Sequence, residues 1–114
     1  MSYRPSSKEF RKLLAELRGR CPALAPVRVY RRPSSFPSLR GYRGITYAYF
    51  DDQDRIHHFV IVLDRSMAEE WMGDVLLHEW AHAVAWREGH ETVAAHDPEF
   101  ALAWSRIYQE MVEP

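Results

Sequence analysis

A single cysteine, Cys21, leaves nothing to pair with in an intramolecular disulfide and no set of thiolates for a cysteine-rich zinc ribbon. Long apolar runs are missing as well. Runs such as Phe59–Leu63 and Val75–Leu77 fall far short of the roughly 20 residues a helix needs to cross a bilayer, so no membrane partner is expected. The N-terminal MSYRPSSKEFRK carries positive charge with no apolar stretch behind it, which argues against a secretory signal. With no disulfide framework, a reducing cytoplasm is the expected setting. At 114 residues there is room for one compact domain, taken as 1–114, and 46% hydrophobic residues are enough to give it a core.

Charge is unevenly distributed. Residues 1–50 hold eleven Lys/Arg against two acids, Glu9 and Glu16, while residues 51–114 hold four Arg against fourteen Asp/Glu. Either the two halves neutralise one another across the fold, or the basic half presents a face to nucleic acid. Arg28, Arg31, Arg32, Arg40 and Arg43 fall in or beside the turn-rich stretch RRPSSFPSLRGYRG. Interleaved with Tyr30, Phe36 and Tyr42, they are the candidates for holding single-stranded DNA by phosphate contacts and base stacking.

Apolar residues Phe10, Leu13, Leu14 and Leu17 recur at helical spacing, so a first helix is predicted over 7–18, stopped by Gly19 and Pro22. Val27–Tyr30 alternates as a short strand. Gly44–Phe50 and Arg55–Leu63 are β-branched and aromatic and flank Asp51-Asp-Gln-Asp54, which makes a hairpin. Ser66 with Glu69 three residues on is a capping-box pattern, opening a helix over 67–87 that Gly89 ends. Asp97-Pro98-Glu99 starts a third, with an apolar stripe of Phe100, Trp104, Ile107, Tyr108 and Met111. The expected class is α+β: a small antiparallel or mixed sheet of about three strands, packed against the second helix, with helices at both ends.

That second helix contains His78-Glu79-Trp80-Ala81-His82. Residues four apart lie one turn above each other on the same helix face, so His78 and His82 can approach one metal ion together. Imidazole nitrogens suit Zn2+, one ion of which is the expected cofactor. Glu79 is turned about 100° away, which makes it a poor further ligand but a good base for a water that zinc has acidified. This is the chemistry of peptide hydrolysis. From Val75 to Val84 the motif residues alone are ionisable, so the two histidines and the glutamate are unlike a solvated helix face.

A catalytic zinc takes three protein ligands and a water. His90, His96 and the acids Glu88, Glu91 and Glu99 are candidates for the third, and a glutamate from the following helix would be Glu99 or Glu110. The metzincin pattern fails, because its glycine and histidine positions hold Ala85 and Glu88.

The segment His78-Glu-Trp-Ala-His82, thirteen intervening residues, then His96-Asp97-Pro98-Glu99-Phe100 resembles the SprT-like metallopeptidase family, in which an HExxH helix is followed by a histidine in an H-G-P-E-F-like segment. The resemblance covers roughly 44–110, including the strand and capped helix leading into the motif. It implies a zincin-like fold, His96 as third zinc ligand after His78 and His82, and Glu79 as catalytic base. It further implies an endopeptidase acting on protein substrates, among them DNA-associated proteins. The chain departs from the family in two places. Asp97 stands where glycine is usual, and a single cysteine is too few for the zinc ribbon common in the family. Two other functions fit the same motif. One is a regulatory peptidase that cleaves a single protein such as a repressor, as ImmA-like proteins do. The other is a non-enzymatic binding module stapled by zinc.

Trp71, Trp80, Trp86 and Trp104 lie on helices and are expected in the core or on cleft walls. His57 and His58 should face opposite sides of their strand, at the surface. The strand Ile56–Leu63 is either an ordinary sheet strand or an edge that pairs with substrate. Tyr42 and Tyr108 are both candidates for stabilising an oxyanion, without a choice between them.

Overall fold

The computed structural model describes residues 6–86 and 98–112. Helix α1 (Ser6–Arg20) is followed by strand β1 (Val27–Arg32), a 3-10 turn (Pro37–Leu39), strands β2 (Gly44–Phe50) and β3 (Ile56–Asp64), and helices α2 (Glu69–Ala85) and α3 (Pro98–Met111). The class is α+β, with one mixed three-stranded sheet among the described residues. Strand order is β1-β3-β2, with β1 parallel and β2 antiparallel to β3. The strand considered for substrate pairing, Ile56–Leu63, is therefore bonded along both edges, which excludes that use.

The β2–β3 hairpin closes through Asp51. Its Oδ1 accepts from the amides of Gln53 (2.8 Å) and Arg55 (3.0 Å), and Asp54 takes a left-handed φ of 61°. The register runs Tyr49↔His58 and then Phe50↔Ile56, so His57 bulges out of the ladder. The bulge overturns the expected alternation: His57 Nδ1 lies 2.9 Å from His58 Nδ1, and His58 stacks on Tyr49 at 4.9 Å.

Helix α2 packs across β2 and β3 on one face of the sheet and against α3 and α1 on its other sides. Phe59, Ile61 and Leu63 alternate towards it and are fully buried. Phe10, Leu14 and Leu17 of α1 join the same core, as do Met72, Leu76 and Trp80 of α2 and Phe100, Ala103 and Ile107 of α3. Trp80 Nε1 donates to the Cys21 carbonyl at 2.7 Å, satisfying a polar group that would otherwise be stranded in the core. On the sheet's other face the 3-10 turn packs on β2 and β3 and buries Leu39.

Helix α2 begins two residues later than its sequence pattern suggests, and the capping box does not open it. The hydroxyl and amide of Ser66 both bind Asp64 Oδ1 (2.6 and 2.9 Å). The N-cap is instead Ala68, without a side-chain cap bond. At its other end the helix stops at Ala85 because Trp86 is extended, and Arg87 and Gly89 lie outside the described residues. On α3 the inward stripe runs through Phe100, Ala103 and Ile107, whereas Tyr108 is 42% exposed.

Hydrogen bonds from the amides of Arg55 and Gln53 hold the Asp51 carboxyl below its ordinary pKa. A depressed folded-state pKa contributes stability above the unfolded value, near 3.9, that is lost as pH falls through the folded value. Asp51→Ala should therefore lower the thermal midpoint at pH 7, with the gap to wild type narrowing as pH drops below the carboxylate range. Thermal unfolding followed by circular dichroism across that range measures it.

Candidate metal centre

Because α2 is enclosed on several sides, the residues of its motif meet different neighbours. Trp80 enters the core, Glu79 faces β2, and His78 and His82 face α3. One ligand atom from each of His78, Glu79 and His82 lies within 4.8 Å of the others, a group that could hold a metal ion. The imidazole centroids of His78 and His82 are 4.9 Å apart. Phe100 lies 4.3 Å from the His82 ring and 5.1 Å from the His78 ring, and Trp104 lies 6.1 Å from His78, so α3 supplies an aromatic wall beside both histidines. His82 and Glu79 are buried and His78 is half-buried. Two imidazoles and a carboxylate at one apolar spot are a donor set that suits Zn2+.

Glu79 is gripped by β2. Thr46 Oγ1 donates to Glu79 Oε1 at 2.7 Å and lies 3.1 Å from the Glu79 carbonyl. Two residues earlier on the same strand face, a Cβ on Gly44 would sit 2.8 Å from Val75 Cγ1 and 3.1 Å from Glu79 Cγ. A glycine is thus what lets the strand come this close. Neither residue was singled out from sequence. A polar side chain at an inward position of a strand was the available signal for Thr46; for Gly44 there was none without the packing of β2 on α2.

The site opens into a cleft of about 600 Å³ bounded by Gly41–Gly44 on one side and Trp104 on the other, with Asp74, Val75, His78 and Glu79 along its floor. Tyr42, 66% exposed, lines this cleft, whereas Tyr108 is not among its lining residues. Trp71 stands 52% exposed on α2 beneath Arg43, whose guanidinium carbon is 4.7 Å from the indole ring, and so belongs to neither core nor cleft lining. Trp80 and Trp86 are core residues.

His90, His96, Glu88 and Glu91 lie outside the described residues. Glu99 and Glu110 are exposed on α3 and do not belong to the metal-binding group.

The five arginines do not form one patch. Arg31 lies over the Phe10 ring of α1 (4.5 Å), and Arg43 stands by the cleft. Arg32 lies over Tyr30 (4.9 Å) and Phe36 (5.9 Å) on the sheet face away from α2, a face that Arg28 shares by alternation. Arg40 is exposed at the end of the 3-10 turn.

A model of the SprT-like family matches residues 7–113. The chain belongs to the SprT-like family. Searches of curated proteins and of solved structures found no match. Among the described residues of this SprT-like chain, no helix is long and apolar enough to cross a membrane.

Gly44→Ala should force β2 and α2 apart by a few tenths of an ångström. Overpacking of this kind costs about 1–3 kcal/mol, measurable by urea unfolding, whereas Gly41→Ala, with no atom within 4 Å of its Cβ, would be strained only by its φ of 85°.

Proposed function

We propose that this SprT-like protein is a zinc-dependent endopeptidase of zincin-like build, acting on protein substrates in the cytoplasm. The observation that carries the reading is the close His78, Glu79 and His82 group, with the carboxylate buried and hydrogen-bonded at the floor of an open cleft. One Zn2+ would be held by His78, His82 and His96, and when bound it supplies a Lewis acid that polarises a carbonyl and acidifies water. Glu79 accepts the proton of the attacking water as its oxygen bonds to the carbonyl carbon. The carboxyl group then delivers that proton to the departing amine as the C–N bond breaks. β2 pairs with β3 alone among the described strands, so its outer edge can bond an extended peptide laid along the cleft.

Burial of Glu79 favours this over a zinc-stapled binding module, since a purely structural site has no use for a desolvated carboxylate beside its ligands. A peptidase dedicated to one repressor-like protein would differ in cleaving that partner alone. Glu79→Gln should keep its zinc and lose cleavage of an unfolded protein such as casein by about 10²–10⁴-fold. In the same preparation series, His96→Ala should lose stoichiometric zinc and His90→Ala should keep it. The opposite pattern of metal content would reassign the third ligand.

Recruitment to single-stranded DNA is the second element of the proposal, and the sheet face opposite α2 is its best support. Arg28, Tyr30, Arg32, Tyr49 and His58 share that face, and Tyr30 and Tyr49 are exposed. Burial, and then the charges of Arg28 and His57, push the His58 pKa down, and its ring stacks on Tyr49. Replacing Arg28 and Arg32 together by alanine should reduce the slope of log affinity against log salt by about 1.4, at about 0.7 per phosphate contact on a single strand. Absence of binding to single-stranded DNA at low salt would remove this element and leave the peptidase standing.

A further inference from the structure

We infer that Thr46 is the positioning residue that aims the Glu79 carboxylate, an inference that rests on reading Glu79 as the base. A glutamate carries three side-chain torsions, and on a helix surface its carboxylate would sample many directions. Glu79 does not have that freedom. It is 8% exposed, and Thr46, 3% exposed, donates to Oε1 at 2.7 Å. The hydroxyl has one proton and two acceptors in range, Oε1 and the Glu79 carbonyl at 3.1 Å. The shorter, charge-assisted contact to the carboxylate takes it. Pinning one oxygen fixes both the plane of the carboxylate and the direction of its second oxygen, and a base must be held within hydrogen-bond reach of the proton it removes.

The grip depends on where the donor comes from. Thr46 lies on the edge strand β2 opposite Ile61 of the central strand β3, and alternates towards α2 together with Gly44 and Ala48. The missing side chain of Gly44 brings the strand close enough for a short hydroxyl to reach the helix. Threonine also suits the position, since its branched β-carbon favours a strand and restricts χ1, so the hydroxyl itself is held. The catalytic helix thus carries the base, and the sheet decides where that base points.

The experiment compares Thr46→Val, Thr46→Ala and Thr46→Ser with Glu79→Gln as the reference. Valine keeps the shape and removes the donor, alanine removes both, and serine keeps the donor. In zinc-loaded protein, the valine and alanine variants should show kcat lower by about 10- to 100-fold at unchanged KM and zinc content, with serine within a few-fold of wild type. A second readout uses metal-free protein with carboxylate-13C glutamate. The Glu79 resonance should move in the valine and alanine variants and return in the serine variant. Wild-type kcat in the valine variant, or an equal loss in the serine variant, would overturn the positioning role while an inactive Glu79→Gln kept the base reading intact. A fully active Glu79→Gln would instead overturn the base reading, and this inference with it.

Discussion

The structure turns on one constraint: helix α2 is enclosed by sheet and helices, yet carries two histidines and a glutamate at its middle. Buried polar groups need partners, and ionisable ones need them most. The neighbours of α2 treat these groups differently. Thr46 of β2 binds the carboxylate, and Phe100 and Trp104 of α3 flank the imidazoles. Trp80, in the same motif, carries its own polar atom to the Cys21 carbonyl just beyond α1. Two of these neighbours, the strand bearing Gly44 and Thr46 and the wall bearing Trp104, are also boundaries of the cleft.

Much of this was legible in the sequence, for definite reasons. The apolar spacing of Phe10, Leu14 and Leu17 marked α1, and the branched and aromatic runs around Asp51–Asp54 marked the hairpin, because those signals are local. The HExxH spacing placed two histidines on one helix face for the same reason. Failures came where two local rules competed. Ser66 satisfied the capping-box pattern, but Asp64 stands two residues before it and takes its hydroxyl. His57 and His58 obeyed strand alternation until the register slipped by one residue at the bulge, an event set by how the hairpin closes rather than by either histidine.

Tertiary facts were out of reach. The roles of Gly44 and Thr46 depend on which residues of β2 meet which residues of α2, a detail that an expected sheet-on-helix packing does not specify. The arginines make the same point in reverse. Arg31 and Arg32 are adjacent in sequence and look like one basic patch, yet strand alternation sends one to the Phe10 ring and the other to Tyr30 and Phe36.

The strand order has a consequence for how the chain reaches this state. Among the described strands β3 is last in sequence and middle in space, so β1 leaves the ribosome well before the strand it pairs with, and Val27 must wait for Phe59. Closing that loop carries an entropic cost that the local β2–β3 hairpin avoids, so hairpin first and β1 second is the expected order of assembly. Until then the β1 segment lacks the partner that β3 provides, and unpaired strand-forming segments are the kind that recruit other chains. Three of its six residues are arginines. Like charges on an unpaired strand discourage self-association, so the residues that decorate this edge in the folded protein also guard it while it is still alone.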